Sequence, residues 1–246
     1  LLMLSLVFFL ILRDSKALPP TPGGSVLFWG ICSLATLALL LSLTRSAWLG
    51  FLAGISLLLF TRRRRSWLLL LLLIPLLTLW GPEPISRRIQ SFVDPDNPSN
   101  RDRIAMALTT VHMFQAHPWL GVGLHEVPRV YERYKPSWAE QNNPHMHNNF
   151  LQMLAERGLL GLGAYLLLWV VWFWLLLRRQ NGCLPAPWRR TLLALTIGFT
   201  VSGLFEYNFG DSEILMLFLF LSALAPVPPP DDVPSRVSDL PTLRPS

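Results

Sequence analysis

Three groups of residues in this chain could do chemistry together. They are Arg45 in TRSAWLGF, the arginines of NRDRIA, and the histidines of NPHMHNNFLQ. Arginine presents a planar, permanently charged fork of donors that suits the oxygens of a diphosphate better than the point charge of lysine. A histidine near its ordinary pKa of about 6.5 can take a proton from a hydroxyl at neutral pH. Arginines that hold a leaving diphosphate and a histidine that activates an alcohol describe a group transfer. The bilayer supplies one substrate if the diphosphate is lipid-linked.

Each group also has a plainer reading. An arginine between two apolar segments can be an interfacial anchor that snorkels to water. His145 and His147 form a His-x-His pair, but no third nitrogen, sulfur or carboxylate stands at a usual ligand spacing, so no metal is expected. Asn148 and Asn149 can simply cap the helix that follows. His112 and His117 read as packing or surface residues, and the GVG at 121 to 123 as a turn, because it follows no strand. Glu206, Asp211 and Glu213 can be solvated turn residues, or can orient an arginine or histidine of the site.

The elements that must position these residues are membrane helices. Of 246 residues 52% are hydrophobic and only 15% charged, with a mean hydropathy of +0.41. Soluble domains carry roughly 25% charged residues, so a water-soluble globular class is excluded. Apolar runs such as LLLLLLIPLLTLW (68 to 80) and LLGLGAYLLLWVVWFWLLL (159 to 177) approach or reach the ~20 residues that span a bilayer core. Segments are expected at about 1 to 12, 25 to 43, 46 to 61, 66 to 80, 159 to 177, 191 to 206 and 213 to 225. The stretch 25 to 61 would be roughly 50 Å long as one helix, too long for one crossing. It must be a hairpin that turns near Ser42 to Ser46, with Arg45 at a membrane face.

The net charge of +6 is carried by arginine, with Lys16 and Lys135 the only lysines. Its clusters flank apolar runs and read as topology signals, so no nucleic-acid partner is expected. Arg13 with Lys16, Arg62 to Arg65, Arg178 to Arg190, and the tail arginines Arg236 and Arg244 all fall on one side by the positive-inside rule. Arg45, the loop 81 to 148 and the turn Glu206 to Glu213 then share the outer face. Cys32 and Cys183 are placed far apart, so no disulfide is expected. The chain opens at Leu1 inside an apolar stretch with no basic region before it, unlike a signal peptide, and is expected to be the C-terminal part of a longer protein.

The expected organisation is all-α. Transmembrane helices occupy 1–80, a mostly helical outer loop 81–148, further transmembrane helices 149–225, and an extended proline-rich tail 226–246. Within the loop, SNRD predicts a capping box with Ser99 as cap and Asp102 three residues on, opening a helix that Pro118 ends near Gln115 or Ala116. A second short helix is predicted over about 125 to 135. HNNFLQMLAERG predicts a helix at the membrane surface with Phe150, Leu151 and Leu154 on one face and Gln152 and Glu156 elsewhere. GLLGLG marks where the chain turns into the bilayer.

Four motifs in order, TRSAWLGF, NPSNRDRIAMALTTVHMFQAHPWLGVGL, HMHNNFLQMLAERGLLGL and GLFEYNFGDSEILMLFLF, resemble the C-terminal half of the O-antigen ligase family, over roughly residues 25 to 225. The superfamily also holds O-antigen polymerases. The resemblance implies a GT-C-like, polytopic and metal-independent membrane glycosyltransferase with no cofactor. It would take a glycan from undecaprenyl diphosphate in the outer leaflet of the bacterial inner membrane and pass it to a sugar hydroxyl of the lipid A core, inverting the anomeric centre. The active site would face the periplasm.

By the same resemblance the diphosphate-binding arginines are Arg45 and Arg103, with Arg101 the rival of Arg103. The catalytic base is His147, with His145 the weaker candidate and His145, Asn148 and Glu206 as supporting residues. Thr44-Arg45-Ser46 stands where the family commonly has Ser-Arg-Gly, which keeps the charge and loses a glycine. Two rivals remain: a polymerase joining lipid-linked repeats, and a transporter of a small anion such as bicarbonate. A carrier should place ionisable groups near the bilayer midplane. Segments 26 to 43, 66 to 80 and 159 to 177 contain none.

Overall fold

The computed structural model describes residues 22–62, 80–92, 94–178 and 186–223. These are all-helical apart from turns and loops. In order they form α1 (Pro22–Leu41), α2 (Arg45–Arg62), α3 (Glu83–Gln90), α4 (Pro98–Ala116), α5 (Val127–Tyr134), α6 (Asn149–Leu177), α7 (Ala186–Ser202) and α8 (Ser212–Ala223). One helix among them, α6, is long and apolar enough to cross a membrane, at 29 residues. Shorter apolar helices run over Ser25–Leu41, Arg45–Phe60 and Ser212–Ala223. The segments expected at 1 to 12 and 66 to 80 lie outside the described residues but for Trp80, as do Cys183 and the tail.

Aromatic side chains fill the core between the long helices. Tyr165 and Trp169 of α6 pack with Phe199 of α7 and Phe218 of α8, and Leu58 of α2 closes the cluster. Phe199 and Phe218 stack at 4.7 Å between ring centroids. Such offset pairs add to the stabilisation from burial itself. Outward-facing Leu167, Val170 and Leu177 of α6 remain exposed, as a lipid-facing helix surface requires.

The α1–α2 hairpin turns at residues 42–44, where Leu43 takes a positive φ of 50°. Its tip is clamped by Trp48, whose indole N–H donates to the Leu39 carbonyl at 2.8 Å. Ile85 of α3 is buried against Leu39 and Trp48, with Ile89 and Phe92 beside it. The short amphipathic α3 is therefore held on the hairpin tip by one apolar face. A second, smaller core joins the outer loop, with Met106 and Met113 of α4, Val127 and Tyr131 of α5, Met146 and Ala155.

α6 is two helices divided at Gly158, which has φ 60° and ψ −156°. The break is satisfied by exchange with the loop before α5. The carbonyls of Ala155 and Glu156 accept from Val122 N and Gly123 N at 2.8 and 3.1 Å. The amides of Leu159 and Leu160 donate instead to the carbonyls of Pro118 and Trp119 at 2.9 and 3.3 Å. An inserted strand of backbone of this kind is one of the few causes of a sharp kink, and it leaves no orphaned polar group. Close approach demands glycine on both sides. A Cβ on Gly158 would lie 2.5 Å from the Trp119 carbonyl carbon, and one on Gly121 would lie 2.4 Å from that of Glu156.

Three expectations are corrected. The cap of α4 is Asn97 and not Ser99: its side chain accepts from Ser99 N, and Pro98 occupies the first turn, where its missing N–H costs nothing. α7 begins earlier than expected and ends at Ser202, so Glu206 stands in a turn beyond it. The first part of α6 buries its polar side, with Gln152 1% and Glu156 2% exposed. These two side chains serve loop backbone, since Gln152 Oε1 accepts from Met146 N at 2.7 Å and Glu156 Oε1 from His125 N at 3.1 Å.

Candidate functional site

The hairpin tip, the start of α4, the start of α6 and the turn after α7 meet at one end of the molecule. Asn148 and Asn149 make this junction. Asn148 caps α6, accepting from Phe150 N and Leu151 N at 2.8 and 3.0 Å, and its amide group donates to the Leu204 carbonyl at 2.9 Å. Asn149, fully buried, receives Phe209 N at 3.0 Å and donates to Asn208 Oδ1 at 2.6 Å, while its backbone N–H reaches the Gly203 carbonyl at 2.8 Å. Two neighbouring asparagines thus tie residues 203 to 209 to the segment that carries the histidines.

Within that segment the side chains alternate. Met146 is 1% exposed in the loop core, so His145 and His147 turn the other way. Both meet Glu206. His147 Nδ1 lies 2.7 Å from Glu206 Oε1 and His145 Nε2 lies 3.3 Å from the same oxygen. The two imidazoles are 4.2 Å apart between centroids, and His145 is 6.1 Å from the ring of Tyr207. His147 adopts a positive φ of 43°, a backbone state uncommon for any residue but glycine. Burial alone would raise the Glu206 pKa. The hydrogen bonds of His145 and His147, the His147 charge and the Tyr207 N–H outweigh it and hold the carboxyl well below the usual range.

A carboxylate that receives Nδ1–H fixes the tautomer of His147 and leaves Nε2 as an acceptor. Among the described residues no group is bonded to that nitrogen. The arrangement can therefore orient a general base. His145, His147 and Glu206 also bring ligand atoms within 4.8 Å of one another, a set able to hold a metal ion. Sequence spacing hid the third member, because Glu206 lies 59 residues beyond His147.

Arginines stand beside the dyad. Arg45 is 3% exposed, and donates from Nη1 to Asn100 Oδ1 at 2.5 Å and from Nη2 to Ser91 Oγ at 2.7 Å and Asn97 Oδ1 at 3.2 Å. Its Nε is buried without a partner, and Phe92 lies 5.2 Å from its guanidinium carbon. All its partners are neutral, so its charge is uncompensated. Arg103 reaches across to the turn after α7, donating to the Phe205 carbonyl at 3.2 Å over the Phe205 ring. Burial lowers its pKa first; Glu206 opposes this and Arg88 adds to it. Arg101 is exposed and faces elsewhere, over the Trp138 ring at 6.0 Å.

The structure thus gathers Arg45, Arg103, His145, His147, Asn148 and Glu206, and leaves Arg101, Asp211 and Glu213 aside. His112 and His117 bind the carbonyl and hydroxyl of Tyr134 at 2.8 and 3.2 Å, outside this group. Sequence reasoning missed Arg88 of α3, whose charge acts on both Arg45 and Arg103. A signal was present in EPISRRIQ, where Glu83 pairs with Arg87 four residues on and the next arginine must point to another side.

A search of curated proteins finds no match for the sequence. The sequence pattern described as O-antigen ligase matches residues 30–166, more than half of the 246 and including the hairpin arginine, α4 and the histidine pair. The chain belongs to the O-antigen ligase family.

Proposed function

We propose that this chain is the catalytic part of a multi-pass glycosyltransferase of the bacterial inner membrane that moves an O-antigen glycan from undecaprenyl diphosphate to a hydroxyl of the lipid A core. The observation that supports this most directly is the His147–Glu206 pair, with Nε2 open, at the same end of the helices as three arginines. In the reaction the acceptor hydroxyl loses its proton to His147 Nε2 as its oxygen attacks the anomeric carbon. The bond from that carbon to the diphosphate oxygen breaks, and undecaprenyl diphosphate departs with one more negative charge than it had as the donor. Attack opposite the leaving group inverts the anomeric centre.

Glu206 holds His147 in the useful tautomer and stabilises the imidazolium that forms. Arg103 binds the diphosphate directly. Arg45, with its terminal nitrogens spent on side-chain oxygens of the loop, contributes chiefly its charge, which stabilises the growing negative charge in a water-poor site. The base and leaving-group site are supplied by side chains alone, so transfer proceeds without metal. The site faces the periplasm, where both lipid-linked substrates are presented.

The test is transfer of glycan from undecaprenyl diphosphate to purified lipid A core by the full-length protein, with chelator present, for the wild type, His147→Ala and Arg45→Ala. Transfer by the wild type and its loss in both variants is the expected result. Chain extension of lipid-linked repeats without transfer to the core would make the enzyme a polymerase. Neither activity in a correctly inserted wild type would overturn the reading.

A further inference from the structure

We propose that Arg88 is a third diphosphate-binding residue, and that with Arg45 and Arg103 it makes a site matched to the departing undecaprenyl diphosphate more closely than to the bound donor. This rests on the glycosyl-transfer reading of the same site. Arg88 stands on α3, whose Ile85 and Ile89 bury against the hairpin tip. Its Nε donates to the Leu43 carbonyl at 2.8 Å, which aims the guanidinium from the tip of the α1–α2 hairpin. Nη1 and Nη2 make no hydrogen bond among the described residues. Arg45 by contrast has both terminal nitrogens engaged and is buried. Arg88 is thus the arginine of the hairpin region with donors left to offer.

The placement is built and not incidental. Ser91 Oγ donates to the Arg88 carbonyl at 2.7 Å and accepts from Arg45 Nη2 at 2.7 Å, so one hydroxyl ties the two arginines to a common frame. Arg88 lies close enough to Arg45 and Arg103 for its charge to act on both. Like charges gathered this way are unfavourable unless an anion joins them. The acid acting on this group is Glu206, which its two histidines already engage. Arg87, the neighbour in sequence, faces outward and pairs with Glu83 in solvent.

Charge counting gives the site its preference. A diphosphate esterified at both ends carries one negative charge on each phosphate, and release of the glycan adds a third. Three arginines against Glu206 balance the donor, and the proton gained by His147 balances the product. A positively charged arm with free donors contributes most where the extra charge appears, so Arg88 should act on the leaving group more than on the ground state.

The experiment measures binding of undecaprenyl diphosphate and of undecaprenyl monophosphate to the full-length protein in nanodiscs, for the wild type, Arg88→Gln, Arg88→Lys, Arg103→Gln and Arg87→Ala. Arg88→Gln should weaken the diphosphate about tenfold or more while the monophosphate changes much less, because a charge-assisted pair is lost only from the larger anion. Arg88→Lys should recover part of that loss, and Arg87→Ala should match the wild type. Diphosphate binding by Arg88→Gln within twofold of the wild type would overturn the inference. So would an equal loss for both lipids, the signature of a merely structural role. A wild type that fails to prefer the diphosphate removes the transfer reading itself, whereas loss in Arg103→Gln alone removes only the role of Arg88.

Discussion

His147 Nδ1 and Glu206 Oε1 are 2.7 Å apart, although 59 residues separate them in the chain. The bond is possible because Asn149, two residues after the histidine, is hydrogen-bonded to Asn208 and Phe209, just beyond the glutamate. One helix N-terminus therefore carries the base and also fixes the turn that orients it. Base and orienter move as one body.

Removal of the base is the first consequence to measure. His147→Ala should reduce glycan transfer by about 10²- to 10⁴-fold, the usual contribution of a positioned general base. Helix α6 is capped by Asn148 and not by His147, so membrane insertion and thermal unfolding should stay close to the wild type. Wild-type transfer rates in this variant would eliminate His147 as the base.

Glu206→Gln tests the orienting role and carries a pH signature. The folded-state pKa of Glu206 is depressed, so its contribution to stability is complete above the unfolded carboxylate value of about 4.3 and is lost as pH falls through the folded value. The wild type should lose stability progressively below about pH 4, and Glu206→Gln should lack that part of the acid dependence. Transfer at neutral pH should fall about 10²-fold or more, because the amide no longer selects the tautomer. Parallel acid unfolding curves for the two proteins would contradict the assignment.

Much of this arrangement is legible in the sequence because it is local. Apolar run lengths give α1, α2, α6 and α8 to within a few residues, and the same parity of arginines that fixes topology gathers the polar residues at one end. Asn148 reads directly as a cap. What the sequence hides depends on distant partners. Glu206 is one acid among three in its turn until Asn149 selects the geometry. Gln152 and Glu156 read as a solvent-facing side because their partners, the amides of Met146 and His125, belong to loops without a periodic pattern. Asn97 displaced Ser99 as the cap because Pro98 suits the first turn and the same Asn97 oxygen also serves Arg45.

The exchange of backbone bonds at Gly158 makes a stability prediction. In Gly158→Ala the new methyl group would overlap the Trp119 carbonyl, in a backbone state that L residues rarely adopt. The cost should be about 2 to 4 kcal/mol, combining the left-handed backbone penalty with overpacking. Thermal unfolding of the purified protein in detergent measures it. A midpoint equal to that of the wild type would mean that the loop 118–123 does not enter the break.

Arg45→Lys separates charge from geometry. Lysine keeps the positive charge but cannot hold Asn100, Ser91 and Asn97 together through a planar fork. Those three residues anchor the start of α4 to the hairpin, so the variant should lower the unfolding midpoint as well as transfer, with a rate loss of about tenfold or more. Arg101→Lys, at an exposed position over Trp138, should leave both unchanged. Equal behaviour of the two variants would deny Arg45 its special place.

Zinc offers a test of how the histidine cluster is used. His145, His147 and Glu206 have ligand atoms close enough to hold an ion, yet Glu206 Oε1 is already shared between both imidazoles. A cation bound there would take the lone pairs of His145 Nε2 and His147 Nδ1 and displace the protons that link them to Glu206. His147 would then be fixed by the metal and less basic at Nε2, so the ion would act as an inhibitor. Transfer should be unchanged by chelator, should fall on addition of micromolar zinc, and should recover when chelator is restored. Because His145 would supply one of the three ligands, His145→Ala should require more zinc for the same relative inhibition. Loss of transfer in chelator, restored by zinc, would reverse the argument and make the three residues a catalytic metal centre.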